Sequence, residues 1–552
     1  MEAAAEAQEA ALVGEVLAEV APAEAGNGII MAMQSYPLSE EAILLEKALK
    51  ETKTHKQAKT GELVHVDGVG ATLYFAYEQI RNAAEYSEQH LLMRRAIERF
   101  LQRSINFSRL HPLGKELIID LTQARYLKND SVSKQTVKII DDQVQQFAEL
   151  YKHSIKIRRN KELVRKWVLQ TASVHIEQLL GHTSNTNAFS AFAYAHYYES
   201  IDRDRLEPEV SDQKYQIALY CAVHREILKS DEATTRAYAL SSQILVNGPE
   251  NPAAYFVELN RMFDELYADR LTNRLVRLIG QYGAPMRIIR ELVFKDEAEQ
   301  LLGNRRQLLS EARETTYQQY KLVRERLNKG IVRSVAFVFI TKILIGLIIE
   351  IPYDLIRYGA IVWGPLLINL LFPPLYMATL GLSIRQPSAK NVDLIEDAID
   401  RILYKTDRPR MVYRLRRRVD SSTLNGVFNV LYGITFIAWM SILAWILYKL
   451  NFNIVSGIIF FIFLSTVSFL GFRLTRTARE YEMIEARRGT LGFLADFFYT
   501  PFIRIGHWLS DTYSRLNVVT RVLDILIEMP MKFVLRFMQQ WVSFLRDKQE
   551  EI

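Results

Sequence analysis

Cysteine is almost absent from this chain. The single Cys221 excludes an internal disulfide and fits a reducing compartment for the polar part of the molecule. Recognisable catalytic motifs are missing too. There is no GxxxxGK[ST] phosphate loop, no GxGxxG after a strand and no GxSxG elbow. Metal-ligand spacing is equally poor. His175, Glu177 and His182 lie in VHIEQLLGH, where the two histidines fall two helical turns apart, too far for one tetrahedral ion. His196 and Glu199 are close enough to share a helix face. The single Glu-x-x-His pair, Glu62 and His65, lacks the second copy and the two further glutamates of a di-metal bundle. No metal and no cofactor is therefore expected. The basic excess is small, with Lys+Arg 69 against Asp+Glu 63, and it gathers beside apolar runs rather than along an aromatic-lined groove. That argues against a nucleic-acid partner.

What the chain does have is four long apolar stretches between Ser334 and Phe472. A helix crossing a bilayer needs about 20 mostly apolar residues. The candidates are 334–351, 360–384, 427–447 and 454–472. The first carries Lys342 near its middle and Glu350 at its end. The second contains Pro365 and the pair Pro373-Pro374, where two backbone donors are lost and the helix is expected to kink or break. The third and fourth contain no charge and are joined by a short turn, so they read as an antiparallel hairpin. Arginine and lysine crowd the segment 385–426 and the residues after span four. The opposite loops offer only Arg357 and Lys449. The positive-inside rule then places both termini and the middle loop in the cytoplasm of an inner-membrane protein.

Ahead of this block, 39–329 reads as a cytoplasmic helical domain of eight to ten helices. Its apolar residues recur at three and four, as in Leu163, Trp167, Val168 and Val174, and its prolines are few. Residues 61–75, GELVHVDGVGATLYF, permit a short hairpin. Residues 1–38 are acidic and alanine-rich. They match neither a secretory nor a mitochondrial presequence and read as a disordered tail. Asn304 to Leu327 has no proline or internal glycine. Continued into span one with Gly330 its only soft point, it would make one helix of roughly 70 Å and a rigid lever, although a plain connector is the favoured reading. The aromatic run at 185–200 is expected to pack in a core. Cys221 has His224 three residues on, but its apolar setting suits a buried thiol better than a catalytic pair.

Several segments look made for a surface. In the middle loop Val392, Ile395, Ile399 and Ile402 line one helix face, which should pack on the soluble domain or on a second copy. Arg408, Arg410, Arg414, Arg416, Arg417 and Arg418 follow and are candidates to contact anionic headgroups. Residues 491–509 are apolar, but Asp496, Pro501, Arg504 and His507 place them at the interface rather than across it. Amphipathic pieces within 473–552, including 518–527, would form a collar on the inner leaflet.

These features define an all-α, multi-pass membrane protein with a large amino-terminal helical domain. The leading functional expectation is non-enzymatic: a membrane-tethered scaffold or assembly factor with an unknown protein partner and a capacity to self-associate. An intramembrane charge is costly, by at least about 2.5 kcal/mol on insertion scales, so it commonly has a partner or a task. The rival expectation is therefore an oligomeric channel or transporter. It would use Lys342, Glu350, Asn369, Pro373 and Pro374, with Glu350, Asn369 and Tyr376 as candidate partners of the lysine. A third is an interfacial lipid-handling enzyme near Asp496, Arg504 and His507.

Overall fold

The structure, a computed structural model, describes residues 37–57, 62–66, 74–75, 78–79, 82, 91–104, 112–180, 184–203, 210–247, 251–295, 298–383, 389–415, 422–483 and 502–508. The chain divides into two compact units, Met1–Pro37 and Leu38–Ile552. The acidic tail expected over 1–38 lies outside the described residues except for Pro37 and Leu38.

Twelve helices precede the apolar block among the described residues, more and shorter than the periodicity suggested. They are α1 Glu40–Gln57, α2 Leu92–Ser104, α3 Gly114–Gln123, α4 Lys134–Ile157, α5 Lys161–Leu179, α6 Ser184–Ser200, α7 Asp212–Val223, α8 Glu232–Asn247, α9 Pro252–Tyr267, α10 Arg270–Tyr282, α11 Ala284–Val293 and α12 Ala298–Gly303. Polar caps decide many of the starts. Ser133, Asn160, Ser211, Asn251 and Asp269 each accept a hydrogen bond from a backbone amide of the first turn that no helical carbonyl can take. Pro252 follows the cap of α9, where its missing amide is harmless.

One large core joins α2, α3, α4, α5, α8 and α9 around Trp167, Ile97, Leu101 and Leu117. Two of the polar side chains inside it are well partnered. Trp167 Nε1 donates to Asp264 at 3.0 Å. The fully buried Arg236 donates to Gln170, Asn260, Glu232 and Asp264 and lies over the Phe263 ring at 4.4 Å. The aromatic run at 185–200 is core, with Phe189, Phe192, His196 and Tyr197 buried.

The hairpin expected over 61–75 is not what the described parts form. Leu63 bridges to Ser133, Val64 N donates to Val132 O at 2.9 Å, and Tyr74 and Phe75 are helical. Alternation reveals strand preference but not the partner, and the partner here is the turn before α4.

The apolar block follows. Helix α13, Arg305–Ile345, passes through a π turn, Gly346–Glu350, into α14, Ile351–Tyr358. Together they make one helix of 54 residues, about 80 Å long at roughly 1.5 Å per residue. Gly330 does not interrupt it. Next come α15 Trp363–Ser383, α16 Ala389–Leu403, α17 Ser422–Lys449 and α18 Ile454–Ala478. Four helices are long and apolar enough to cross a membrane, as a membrane protein requires. Their outer faces carry exposed Ile340, Leu347, Ile348, Leu371, Ile437, Ile442, Trp445 and Ile458. Helices α13, α15 and α18 pack together around Val338, Met377, Phe463 and Val467. A Cβ at Gly381 would lie 2.9 Å from Ile331, so this glycine permits the close crossing of α15 and α13. Helix α17 is far less covered.

Helix α15 continues through Pro373 and Pro374, so of the expected kink or break no break occurs. Flanking packing holds it: Phe372 stacks on Tyr376 at 5.7 Å and meets Phe460 of α18 at 5.1 Å.

The chain returns to the helical domain twice. Helix α16 buries Val392, Ile395, Ile399 and Ile402. It lies on the front half of α13 and on α11. Arg305 donates to both oxygens of Asp400 at 2.7 and 2.8 Å, and Arg313 reaches Glu396 and Asp393 at 2.7 Å. Beyond α16, Leu38 bridges to Tyr404, and β1, Ile201–Asp202, pairs in parallel with β2, Tyr413–Arg414. After α18, Tyr481 O accepts from Asn391 at 2.7 Å, and Lys229 meets Glu480 at 3.3 Å. The middle loop and the end of α18 thus lie on the domain's side of the apolar block.

Candidate functional site at a buried ion pair

The most unusual chemistry lies inside the apolar helices. Lys342 is 2% exposed, Glu350 1% and Asn369 0%. Lys342 Nζ donates to Glu350 Oε1 at 2.6 Å. On a regular helix, eight residues at about 100° each end about 80° off the starting face. The π turn corrects this. It contains one residue more than an α turn, so Glu350 comes round to the face of Lys342. Pro352 stands just beyond, where it would clash with the carbonyl four residues back in a tight helix; the wider turn relieves that clash.

Asn369 of α15 completes the arrangement. Its Nδ2 donates to Glu350 Oε1 at 3.2 Å and to the Ser456 carbonyl of α18 at 3.1 Å. The Phe463 ring faces the ammonium, with Nζ 4.9 Å from its centroid. Proline at 373 removes the amide that would bond the Asn369 carbonyl, so the helix is richest in free acceptors at this level. Two side-chain oxygens, Glu350 Oε2 and Asn369 Oδ1, are buried without a hydrogen-bond partner among the described residues.

Polar groups continue away from the helical domain. Buried Asp354 accepts from Val362 N at 3.2 Å and from Asn453 Nδ2 at 2.9 Å. Asn453 Oδ1 in turn caps α18 by accepting from Ser456 N at 2.8 Å. Lys342, Glu350, Asn369, Ser456, Asn453 and Asp354 therefore form a column ending at the loops remote from the domain. Sequence reasoning missed Asp354 and Asn453. Their signal was an acid and an amide in short loops otherwise poor in charge. Tyr376, considered as a lysine partner, instead stacks on Phe372 at 5.7 Å.

The arginines proposed for lipid contact are engaged within the chain. Arg408 pairs with Asp397, Arg410 with Glu41, and Arg414 lies 3.6 Å from Asp202. These pairs are solvent-exposed and therefore weak. Still, they turn three of the six arginines toward carboxylates of α16 and of the helical domain. Arg416, Arg417 and Arg418 lie outside the described residues, as do Asp496 and the segment 518–527.

Part of 491–509 is described, and it is not laid beside the bundle's end. Phe502 is buried in a cluster with Leu447, Phe452, Phe460 and Leu464. A Cβ on Gly506 would sit 2.3 Å from the Ser465 carbonyl oxygen, and His507 meets Phe469 edge-on at 5.7 Å. The stretch 502–508 thus packs along the middle of α18, a placement its charges had argued against. Arg504 escapes the apolar contact by extending over Tyr432, 5.7 Å from the ring centroid.

The candidates for chemistry in the helical domain are also accounted for. His224 is stacked with Tyr220 and Tyr238, and its nitrogens face Ser190 and Ser230 at 2.9 and 3.1 Å, not Cys221. Burial pushes the His224 pKa down to about 3 and the Cys221 thiol up to about 12, so neither is poised as base or nucleophile. His196 faces Tyr413 at 3.1 Å rather than a metal, and burial lowers its pKa to about 4. Among the described residues no three histidine, cysteine or acidic side chains are grouped to hold a metal. No family model matches the chain, and neither a curated protein nor a solved structure shows significant similarity to it. The class defined by fold and site is thus a mostly helical protein with four helices long and apolar enough to cross a membrane and a charged pair buried among them.

Proposed function

We propose that this is a four-span inner-membrane protein, with both termini in the cytoplasm, that acts as a membrane-tethered scaffold. Its helical domain presents a binding surface to a protein partner. One observation carries the reading: the domain is fastened to the apolar block at three places. A single 54-residue helix leaves it, α16 is clamped to that helix by Arg305–Asp400 and Arg313–Glu396, and the end of α18 returns to Asn391 and Lys229. Such bracing suits a surface held at fixed height and orientation above the bilayer. A swinging tether would need none of it.

Chemical cross-linking in native membranes, followed by purification of the full chain, tests this. A stoichiometric partner or a defined self-assembly is expected, and recovery of an uncross-linked monomer alone would overturn it. Single cysteines in a Cys221→Ser background test the topology. Labelling from outside is expected at Tyr358 and Asn451 and not at Lys161.

A second reading, transport through an oligomer, draws support from the two unpaired oxygens beside Lys342. It predicts ion or solute flux in reconstituted vesicles that Lys342→Ala alters.

A further inference from the structure

The two buried oxygens at the ion pair specify a ligand by their chemistry. Both are acceptors. They belong to groups already joined by a hydrogen bond, Asn369 Nδ2 to Glu350 Oε1 at 3.2 Å. A metal cation is a poor occupant, because the Lys342 ammonium stands 2.6 Å from the same carboxylate and would repel it. What two acceptors need is a hydrogen to share. We propose that Glu350 and Asn369 form a proton-binding site, in which a proton on Glu350 Oε2 is donated to Asn369 Oδ1.

The result is a cyclic acid–amide pair. Nδ2–H donates to Oε1, as it already does, and Oε2–H donates to Oδ1. The second Nδ2 hydrogen remains on the Ser456 carbonyl. Binding converts the carboxylate to a carboxylic acid and raises the charge of the cluster from zero to plus one, carried by Lys342. Two features make that charge tolerable: the Phe463 ring face 4.9 Å from Nζ, and the acid carbonyl, which still accepts from the ammonium. The surroundings add little else that titrates. Lys342 and Asp354 share the helix with Glu350. Helix α15 contributes Asn369 and, about two turns beyond, Tyr376, which stacks on Phe372. Helix α18 contributes the neutral Ser456 and Phe463. Asp354 and Asn453 connect the pair to the far loops, so a proton has a polar route from that side. The inference does not depend on the scaffold reading and requires no flux.

Infrared difference spectroscopy of the full chain in lipid vesicles, recorded between neutral and acidic pH, is the test. The expected result is a carboxylic-acid carbonyl band that shifts on deuteration and on ¹³C-carboxyl labelling of glutamate. It should vanish in Glu350→Gln, persist in Asp354→Asn and shift to higher frequency in Asn369→Leu, which deletes the acceptor. A band that survives Glu350→Gln would overturn the proposal. So would the absence of any glutamate-dependent buried acid band, which would mean a bound water alone fills the oxygens. If Glu350→Gln fails to fold, the isotope shift in the native chain and the Asn369→Leu frequency still decide.

Discussion

Removing Lys342 should damage this protein far more than removing Lys342 and Glu350 together. At 2.6 Å and an effective dielectric constant of about 20, the pair attracts by about 6 kcal/mol. Desolvation of two ions takes back several kcal/mol each, so the pair as a whole is worth little to stability. Its rupture is another matter. Lys342→Met leaves Glu350 charged, buried and short of its best donor, with only Asn369 still bonded to it. A buried pair broken on one side typically loses about 3–5 kcal/mol, a factor of roughly 10² to 10³·⁵ in the folding equilibrium. Glu350→Gln should fall at the lower end, because Phe463 can hold part of the lysine's charge. The double variant Lys342→Met/Glu350→Gln should lie within about 1 kcal/mol of the native protein, giving a coupling energy of several kcal/mol. Reversible unfolding in detergent micelles, followed by circular dichroism, measures all four corners of the cycle. Single losses under about 1 kcal/mol, or a double loss equal to the sum of the singles, would refute the buried-pair reasoning.

Other consequences are equally direct. Arg305→Ala should loosen α16 and the strand after it, at a cost of about 1–3 kcal/mol for a charge-assisted pair; faster trypsin cleavage after Arg410 is the readout, since Pro409 blocks cleavage after Arg408, and unchanged cleavage counts against it. In a Cys221→Ser background, cysteines at Phe469 and His507, whose rings are 5.7 Å apart, should cross-link. Adding Gly506→Val should abolish that cross-link, since even a Cβ there meets the Ser465 carbonyl oxygen at 2.3 Å. Acid should weaken the helical domain. Burial lowers the His196 and His224 pKa values from 6.5 to about 4 and about 3, so the unfolded chain takes up those protons first and stability falls as pH drops below 6.5. Glu177 opposes this: burial raises its pKa from 4.5 to about 7, and the stability it adds is full below 4.5 and lost as pH rises through 7. Two histidines outweigh one glutamate, so the melting temperature should fall from pH 6.5 to 4.5 and fall further in Glu177→Gln, where the opposing group is gone.

The legible parts of this molecule were those with strong periodicity. The four apolar runs, the uninterrupted helix through Gly330 and the buried face of α16 follow from spacing alone, because a single face or an all-round apolar surface leaves few options. Lys342 announced itself by its rarity in such a run. The hidden parts depended on partners distant in sequence. Val64 pairs with Val132, not with the nearby strand-like residues. Arg408 and Arg410 found Asp397 and Glu41, which nothing in their own neighbourhood foretold. Residues 502–508 carry Arg504 and His507, yet Gly506 lets their backbone press against α18. That close approach is a property of two surfaces and not of one segment. Pro373 and Pro374 do not end their helix, for a similar reason: it is braced by Phe372, Tyr376 and Phe460.

The π turn at Gly346–Glu350 has a mechanical meaning. It stores one residue of slack in a helix otherwise wound at standard pitch. With it, Glu350 meets Lys342 eight residues on, as a seven-residue spacing would on an ordinary helix, about 20° apart at about 100° per residue. Wound without the wide turn, the same residues would carry Glu350, Asp354 and the far loop about 100° away from this azimuth relative to the stalk that enters from the helical domain. Slack of this kind can migrate along a helix by exchanging hydrogen-bond partners one at a time. Each residue it passes turns by about 100° about the helix axis, while the base held by Asp400 and Glu396 and the tip beyond keep their azimuth. A rod that has no break in it can thus re-aim its side chains one at a time.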